Sequence, residues 1–479
     1  MSISGINKVP IGISNLDEVI GGKFPKGSLI VLAGNPGTGK TIFSATSLYN
    51  SIVNYGEKGV YASFSENREA FFNNMLNLGL DFEKLENEGK FRFLDLLTTK
   101  EIAIPSIINA IIDEVEKIGA NHLVIDSFSA LAQAFKEMHE VRIILHTILS
   151  KITKSLGCTT ILIIEVPYGE SKIGLGIEEF VADGIILLKR ELLDGRVLRE
   201  LEVLKMRGSP IFESKFIFTL KDGFKVFSPF KVKLIEKLSR FESRQDTKEY
   251  FSTGSQSLDE MLGGGYPRGS GVLIEISEYV STLQYHLISV PTAWNFGAQG
   301  RGVMIIPSHG IDPNIIIERA KEGGMTEDEI NRLLRIFVME RSEFEPKPYL
   351  ITYKGEKFKE DYTKYVEIEQ ELMKNTGQPV LHIVGVDTLI DLYGVKGAIH
   401  AIRNQVTRIR EMGGLGMALL KPGYPTLAKI LSALADVHLR ITRRYGTILI
   451  YGIKPRTNIY ALKMDISRGY PMPKLTQII

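Results

Sequence analysis

The sequence predicts an α/β protein of two tandem domains, each a mostly parallel, twisted sheet with helices on both faces. Three observations lead to this prediction. Short apolar strands alternate with longer helical stretches, a glycine-rich loop follows an early strand, and the pattern before that loop returns 254 − 12 = 242 residues later. Such alternation is typical of parallel sheets covered on both faces. At 479 residues the chain also exceeds what one hydrophobic core normally supports.

The first half contains six predicted strands, each a short apolar run bounded by polar or turn-forming residues. Between them, apolar residues at roughly helical spacing predict helices at 75–80, 106–118 and 140–155. The predicted strands are 29–33, 59–64, 91–95, 122–126, 159–165 and 184–189.

Residues 34–41, which we call the phosphate loop, read G-x-x-x-x-G-K-T directly after the strand at 29–33. Glycines let the backbone point several N–H groups into one anion-sized hollow, and the helix expected to begin near the lysine adds its positive end. In this pattern the lysine reaches the β- and γ-phosphates and the threonine holds Mg²⁺. We therefore expect a nucleoside triphosphate to bind here. The residues are Gly34, Asn35, Pro36, Gly37, Thr38, Gly39, Lys40 and Thr41.

The second half repeats the segment before the loop but not the loop itself. Residues 12–28 and 254–270 match without a gap. Side chains in place of the glycines disfavour the backbone angles that glycine allows, and no G-K-[ST] occurs between Gly254 and Trp294. The second domain is predicted to keep the fold and to lack the nucleotide site. At the same offset, Gly34, Gly37, Gly39, Lys40 and Thr41 become Ile276, Tyr279, Ser281, Thr282 and Leu283.

A carboxylate at the end of a neighbouring strand is the second element that such a site needs. The apolar strand 122–126 ends at Asp126, and in doubly wound sheets ligands bind where the parallel strands end. We predict that Asp126 lies near the Mg²⁺ that Thr41 holds. The alternative is that Asp126 only caps the following turn.

The repeat and a charged stretch between the halves define the domain organisation. We place the first domain at 1–230, a charged and partly helical connector at 231–250, and the degenerate second domain at 251–479. Mixed charge usually marks a solvated face, and a grip on an acidic partner is the alternative.

Composition narrows the possible functions. A net charge of +2 argues against a strongly basic nucleic-acid binder. The single cysteine, Cys158, lies in an apolar run, so we expect a small core residue and no internal disulfide. The first ten residues lack the apolar stretch of a leader and no apolar run approaches about 18 residues, so we expect no membrane insertion and a cytoplasmic protein.

Several motifs together carry a family resemblance. They are the lead-in G-x-x-x-L-D-x-x-x-G-G-x-x-P-x-G, the phosphate loop, G-V-Y-A-S-F-S-E at 59–66, V-I-D-S at 124–127, E-E-F-V-A-D at 178–183 and L-K-M-R-G at 204–208. This set resembles the KaiC family, RecA-fold ATPases of the cyanobacterial clock with KaiC-like relatives in archaea. The resemblance implies RecA-like domains, ATP and Mg²⁺ between subunits of a ring that we expect to be a hexamer, and hydrolysis or phosphotransfer that serves signalling.

The family has paired glutamates after the second strand, and the first of them activates the attacking water or hydroxyl. Here those positions are Ser65 and Glu66. A serine cannot take a proton as a carboxylate does, so we expect hydrolysis to be slow or to depend on Glu66. On a regular strand Glu66 would point to the other face, and its alternative role is to cap the next helix. Glu165 is the next candidate for the base.

Lys205 and Arg207 match the family's Lys-x-Arg segment, which the resemblance implies reaches the γ-phosphate bound by a neighbouring subunit. Residues two apart share one face of a strand, so both cations can converge on one phosphate and stabilise the transition state. Without the resemblance they would be interpreted as surface cations. With it, the ATPase is expected to require a homo-oligomer.

The second half contains three residues that resemble predicted site residues of the first half, although it has no phosphate loop. A strand ending near Asp387 resembles the strand that ends at Asp126, and Lys454 and Arg456 resemble the cation pair of the first half. We interpret these three residues as inherited scaffold or interface positions. His309, offset from Glu66 by 309 − 66 = 243, is interpreted as a loop histidine without a catalytic role.

Three functions are compatible with these patterns. The preferred one is a KaiC-like regulatory ATPase, or autokinase, with slow turnover and a pseudo-ATPase second domain as scaffold and partner platform. The second is a RecA-superfamily recombinase or helicase, although the segment 166–176 holds only Tyr168 and Lys172 of the aromatic and basic residues that a DNA pore needs. The third is a non-hydrolysing assembly scaffold that closes on binding ATP.

Overall fold

The computed structural model describes residues 8–19, 24–96, 104–132, 138–170, 173, 178–208, 210–340 and 345–479. The chain divides into two compact units, Met1–Ser228 with Gln477–Ile479, and Pro229–Thr476. Each contains one large, mostly parallel sheet with helices, so the predicted fold class of tandem RecA-like α/β domains is confirmed. In the described residues no helix is both long and apolar enough to cross a membrane.

The first unit contains eleven strands and eight helices in the described residues. Its helices are α1 Leu16–Val19, α2 Lys40–Tyr55, α3 Arg68–Leu76, α4 Phe82–Asn87, α5 Ile104–Ile118, α6 Phe128–Ala132, α7 Met138–Thr147, which continues as a π-helix over Ile148–Ser155, and α8 Glu178–Val181. Its strands are β1 Lys8–Val9, β2 Phe24–Pro25, β3 Leu29–Gly34, β4 Gly59–Ser63, β5 Phe91–Asp95, β6 His122–Asp126, β7 Thr159–Glu165, β8 Gly184–Leu193, β9 Arg196–Met206, β10 Lys215–Thr219 and β11 Lys225–Phe227.

The main sheet of the first unit has the strand order β11-β10-β9-β8-β3-β7-β6-β4-β5. The six strands from β8 to β5 are parallel, and β9, β10 and β11 extend one edge as antiparallel strands. Alternate residues of β3 enter different core clusters: Ile30 packs with Phe43 of α2 on one face, and Leu29 packs with Ile111 of α5 on the other. The parallel strands are therefore buried on both faces, as their nearly continuous apolar sequences require.

The second unit contains twelve strands and seven helices in the described residues. Its helices are α9 Gln256–Leu262, α10 Thr282–Ala298, α11 Pro313–Glu322, α12 Glu327–Leu333, α13 Phe358–Thr376, α14 Val386–Met412 and α15 Pro425–Leu434. Its strands are β12 Tyr250–Phe251, β13 Tyr266–Pro267, β14 Ser270–Ile276, β15 Val303–Ile306, β16 Leu334–Met339, β17 Leu350–Tyr353, β18 Leu381–Gly385, β19 Leu415–Leu420, β20 Val437–Arg444, β21 Thr447–Lys454, β22 Tyr460–Asp465 and β23 Met472–Gln477.

The two main sheets have the same strand order where they correspond. The order β8-β3-β7-β6-β4-β5 in the first unit is matched by β20-β14-β19-β18-β15-β16 in the second. The gapless register also agrees, because β14 ends at Ile276 and α10 begins at Thr282, each 242 residues after the end of β3 and the start of α2. The second unit is thus a structural repeat of the first.

Strand positions were predicted more accurately than helices. Three predicted strands coincide with β5, β6 and β7 at both ends. The helix predicted at 75–80 is wrong: α3 ends at Leu76, and the apolar residues that follow form a turn. The helix expected in part of the connector at 231–250 is also wrong, because 231–249 contains no helix. The buried ring of Phe241 in this segment packs against Trp294.

Candidate nucleotide-binding site

The phosphate loop lies at the carboxyl end of β3 and leads directly into α2. Gly37 and Gly39 have φ of 75° and 100°, a left-handed conformation that residues with a β-carbon rarely adopt. At Gly34 the limit is space, since a β-carbon would lie 2.5 Å from the main-chain oxygen of Leu188. The loop therefore needs its glycines for two separate reasons, conformation and close approach.

Lys40, the first residue of α2, folds back over the loop. Its Nζ donates hydrogen bonds to the main-chain oxygens of Gly34 at 2.9 Å and Asn35 at 3.0 Å, and the residue is only 7% exposed. Burial lowers the pKa of Lys40, while the charges of Glu165 and Asp126 act in the opposite direction. A buried ammonium held by main-chain oxygens inside the loop is well placed to meet an anion there.

Thr41 and Asp126 lie together, as the sequence predicted. The Thr41 hydroxyl donates to Oδ2 of Asp126 at 2.8 Å, although the residues are 85 positions apart. The same Oδ2 accepts from the buried Tyr61 hydroxyl at 2.7 Å. Asp126 ends β6 and is 5% exposed. The carboxylate therefore contacts side chains of both α2 and β4, and its role as a metal ligand stays a prediction.

Ser65 and Glu66 follow β4, which ends at Ser63. The Ser65 hydroxyl donates to Asp126 Oδ1 at 3.2 Å and lies within the same distance of the Asp126 main-chain oxygen. The expectation that Glu66 would point to the other face of a strand is wrong, because both residues lie beyond the strand and line the same cleft. Glu66 is not the cap of α3 either, since Asn67 accepts from the Ala70 N–H.

Glu66 is a partly buried carboxylate in a negatively charged setting. Burial raises its pKa, and repulsion from Asp126 raises it further. A turn fixes its backbone, because the Ser63 hydroxyl donates to the Glu66 oxygen at 2.8 Å and accepts from the Glu66 N–H at 3.0 Å. A raised carboxylate pKa on a positioned backbone is the property expected of a general base.

An open cleft of about 640 Å³ connects these groups. Lys40, Thr41, Glu66, Asp126 and Glu165 all line it. Glu165 ends β7, the strand between β3 and β6, and its side chain is exposed. The carboxyl ends of β3, β7, β6 and β4 thus bring these five side chains to one edge of the sheet.

These residues fit a nucleotide with Mg²⁺. The N-terminus of α2 has Gly39 as its cap and no side-chain cap bond, so its first N–H groups face the loop without competition from a capping side chain. Mg²⁺ usually takes one or two protein oxygens and completes its shell with phosphates and water. Thr41 and Asp126 provide such a pair, and no larger cluster of His, Cys, Asp or Glu occurs in the described chain.

Lys205 and Arg207 do not approach the loop of their own chain. Lys205 pairs with Ile185 near the start of β8, whereas Gly34 pairs with Leu188. The main-chain N–H of Arg207 donates to the main-chain oxygen of Asp183 at 2.8 Å, so Arg207 lies level with Asp183. Asp183 precedes Leu188 by 188 − 183 = 5 residues, which corresponds to about 16 Å along a strand. Both cations therefore lie near the amino ends of the parallel strands, whereas the cleft lies at their carboxyl ends.

Arg207 is held by its own chain, and Lys205 is partly exposed. Arg207 Nη1 forms an ion pair with Asp183 at 3.2 Å, and the arginine side chain is 56% exposed. Burial and the adjacent Arg207 charge lower the pKa of Lys205, while Asp183 opposes this. Leu204 and Phe180 beside them are exposed apolar side chains. The two cations therefore belong to a surface that combines charge with apolar residues.

The equivalent loop in the second unit is closed by its own side chains. Ser281 caps α10, and its N–H donates to the Gln284 side chain at 2.8 Å in a reciprocal capping box. The N–H of the cap residue is thus satisfied by a side chain of the same helix, whereas α2 has no side-chain cap bond at Gly39. The absence of a nucleotide site in this loop stays a prediction.

The other second-unit candidates are tied to neighbouring backbone. The strand predicted to end near Asp387 ends at Gly385, so Asp387 lies in the first turn of α14, and Gly385 takes the sheet position of Asp126. Asp387 accepts from the His309 N–H at 3.0 Å. Lys454 donates to the main-chain oxygen of Ser432 at 2.6 Å. The interpretation of these residues as scaffold or interface positions stays a prediction.

Three contacts to the phosphate loop were missed by sequence reasoning. Asn35 was assigned only to phosphate binding, yet its Nδ2 donates to the Val166 oxygen at 2.8 Å. The exposed Tyr168, considered for a DNA pore, donates to the Pro36 oxygen at 3.0 Å. Arg199 donates to the loop from β9. Lys172, the other pore candidate, lies outside the described residues.

A parallel sheet with a G-x-x-x-x-G-K-T loop at one strand end and an aspartate at another defines the RecA-like class of P-loop proteins. A family model described as "ATPase: KaiC" matches residues 9–229. Residues 9–229 therefore match the KaiC family of ATPases, and the resemblance drawn from the motifs is confirmed.

Curated relatives carry the same family name. Circadian clock oscillator protein KaiC of Thermostichus vulcanus is 30% identical over 281 residues, 57% of this chain and 52% of the relative. Circadian clock protein KaiC3 of Synechocystis sp. is 32% identical over 283 residues, 56% of this chain and 54% of the relative. The chain spans about half the length of the curated relatives it matches.

A solved structure is also similar. The crystal structure of a KaiC-like protein from the hyperthermophilic archaeon Pyrococcus horikoshii is 34% identical to this chain. It covers 47% of this chain and 100% of its own, with a TM-score of 0.43.

Proposed function

We propose that this chain is a slow, regulatory ATPase that binds ATP with Mg²⁺ at the phosphate loop of its first unit. The observation that carries the proposal is the 2.8 Å contact between the Thr41 hydroxyl and Asp126, at the mouth of a cleft that begins at the uncapped N-terminus of α2. The match of residues 9–229 to a family of ATPases supports ATP as the nucleotide.

Each side chain of the cleft has a separate task in this proposal. Lys40 would bind the β- and γ-phosphates, and the N–H groups of the loop would bind their oxygens. Thr41 and Asp126 would hold Mg²⁺, with Tyr61 fixing the carboxylate from the buried side. The metal would neutralise charge on the phosphates. Glu66 would accept the proton of the attacking water.

Slow turnover follows from the contacts of Ser65. Its hydroxyl is directed at Asp126 and offers no carboxylate to the attacking water. Glu66 alone would then act as the base, and its long 3.4 Å contact with Asn74 orients it only weakly. Loss of a general base typically costs about 10²- to 10⁴-fold in rate. We therefore favour a timer or switch over a metabolic ATPase, and a phosphotransfer reaction would use the same groups.

The complete site requires a second subunit in this proposal. Lys205 and Arg207 lie at the sheet edge opposite the loop of their own chain and could reach the phosphates only of a neighbour. A heterologous contact of this kind closes into a ring, for which we propose a hexamer. The second unit would serve as a pseudo-ATPase scaffold and a platform for protein partners, because the cap of α10 closes its loop.

One set of measurements tests the function. A fluorescent ATP analogue should saturate at one site per chain in the presence of Mg²⁺, and light scattering should report a larger assembly with ATP than without it. Hydrolysis should be slow and unaffected by single-stranded DNA. A rate stimulated by DNA would favour a recombinase or helicase, ATP-driven assembly without turnover would favour a scaffold, and the absence of saturable binding would refute the proposal.

A further inference from the structure

An arginine on β9 contacts the phosphate loop from outside the cleft. Nη1 of Arg199 donates to the main-chain oxygens of Gly37 and Thr38, at 3.3 Å each. Nε of the same guanidinium donates to the main-chain oxygen of Ile479. One planar group thus joins the phosphate loop to the last residues of the sequence.

Those last residues are fixed within the first unit. The segment 477–479 belongs to this unit, and Ile478 is buried in it. The Thr219 hydroxyl, at the end of β10, donates to the Gln477 oxygen at 2.8 Å and accepts from the Ile479 N–H at 3.4 Å. Because both contacts involve main-chain atoms, the segment presents the Ile479 oxygen at a defined position.

The residue type suits this bridge. A guanidinium has five donors in a rigid fork and stays charged, whereas a lysine ammonium is a point charge on a flexible stem. Burial and the charge of Arg190 on β8 lower the pKa of Arg199. Arg199 is a partly buried cation that binds main-chain oxygens, and its charge adds positive potential beside the loop. It also polarises the peptide between Thr38 and Gly39, whose N–H lies at the start of α2.

We propose that Arg199 is a positioning residue for the phosphate loop and that segment 477–479 sets its position, so that this segment controls the affinity of the site for nucleotide. The inference rests on the proposed nucleotide site and names a control on it. The segment begins at Gln477, the last residue of β23, and belongs to the first unit.

The bridge can be tested first without nucleotide. Hydrogen–deuterium exchange of loop peptides covering 34–41 should be faster in Arg199→Ala and in a chain that lacks 477–479, by about two- to tenfold, because each change removes hydrogen bonds that restrain the loop. Thr219→Val should act in the same direction. Arg190→Ala is the matched control, since it removes an equal charge opposite Arg199 on β8 and should leave the exchange of the loop unchanged.

The second measurement is titration of a fluorescent ATP analogue. Arg199→Ala and the deletion of 477–479 should each raise Kd by about two- to tenfold, and the combined variant should be no weaker than either alone, because both changes break one bridge. Arg199→Lys should recover only part of the affinity. The hydrolysis rate at saturating ATP should stay within about twofold of wild type, since Arg199 touches the loop and not the attacking water.

The outcomes separate this inference from the proposed function. If loop exchange and Kd are both unchanged in Arg199→Ala and in the chain that lacks 477–479, the bridge is refuted and the nucleotide site is unaffected. If the two changes raise Kd additively when combined, the coupling between Arg199 and the segment is refuted. If the unchanged protein binds no nucleotide, the proposed function fails and the exchange data alone decide: faster loop exchange supports the bridge, and unchanged exchange refutes it.

Discussion

Lys40 provides the most direct prediction at the scale of single residues. Lys40→Ala should weaken binding of a fluorescent ATP analogue by about two orders of magnitude or more, because it removes the buried charge that we propose binds the phosphates. The second unit has Thr282 at this position and offers no replacement. Lys84→Ala, an exposed lysine of the same unit, is the control and should bind normally. A remaining site of wild-type affinity would mean that the second unit binds nucleotide.

Ser65 and Glu66 predict how fast the site turns over. Ser65→Glu should raise the hydrolysis rate, because a carboxylate beside Asp126 would have a raised pKa and could act as a base. Glu66→Gln should remove most of the activity, by about 10²- to 10⁴-fold. Rates are measured at saturating ATP and Mg²⁺. Equal rates for wild type and both variants would exclude these positions and leave Glu165 as the candidate base.

The pKa of Glu66 also predicts a pH dependence. Burial and the charge of Asp126 raise this pKa, so the proton leaves Glu66 at a higher pH than it leaves an ordinary glutamate. A general base acts only when deprotonated, and kcat/KM should therefore fall as the pH is lowered through this raised pKa. The acidic limb should disappear from the residual rate of Glu66→Gln. An identical limb in that variant would assign the titration to another group.

Residues of the site differ in how far the sequence could predict them. Lys40 and Thr41 are fixed by a local motif, and Asp126 by the strand that ends with it. Tyr61 and Arg199 were missed because their partners lie 65 and 162 positions away in sequence. Only the fold brings such pairs together, and neither residue type signals a contact with the site by itself.

At the scale of elements, the start of α2 has no side-chain cap bond, whereas the start of α10 has a capping box. Ser281→Ala should lower the free energy of unfolding of the second unit by about 0.5–2 kcal/mol, since it removes the capping side chain. Urea denaturation followed by the fluorescence of Trp294, the single tryptophan of the chain, reports this unit. Exposed Ser243→Ala is the control. Unchanged stability would show that the capping box contributes little.

Elements were predictable where burial alone determines them. The strands β5, β6 and β7 are buried parallel strands whose apolar runs end where the sheet ends, so their bounds were predicted correctly. The segment 231–249 was interpreted as a charged, partly helical connector, yet it contains no helix, and the N–H groups of Ser239 and Phe241 donate to the main-chain oxygens of Gly469 and Gly323. The deciding contact is Phe241 against Trp294, a partner 53 positions away that charge patterning does not reveal.

At the scale of the whole molecule, the duplication distinguishes the residues that maintain the sheet from the residues that form the proposed site. The strand order and the register of the repeat persist, because they depend on apolar residues on both faces of the sheet. The proposed site depends on a few positions at the carboxyl ends of the strands, and Gly385 in the place of Asp126 shows that these positions can change without loss of the sheet. Restoring a glycine-rich loop alone would therefore leave the second unit without its metal ligand.

The opposite placement of the phosphate loop and the Lys205–Arg207 pair leads to a prediction about mixed assemblies. Lys40→Ala lacks the binding lysine, and the double variant Lys205→Ala/Arg207→Ala lacks the cations, so each should be inactive alone. In a randomly mixed ring, one interface in four combines an intact loop with intact cations from its neighbour. An equal mixture should then regain about a quarter of the wild-type ATPase rate.

The mixing experiment distinguishes a shared site from a site complete within one chain. Subunits are exchanged before the assay, and each variant incubated alone under the same conditions is the control. If the cations serve only their own chain, every subunit in the mixture still carries one defect, and the rate cannot exceed the mean of the two separate variants. That result would mean that Lys205 and Arg207 are surface cations with no role at a neighbour's site, and that Arg207 pairs only with Asp183 of its own chain.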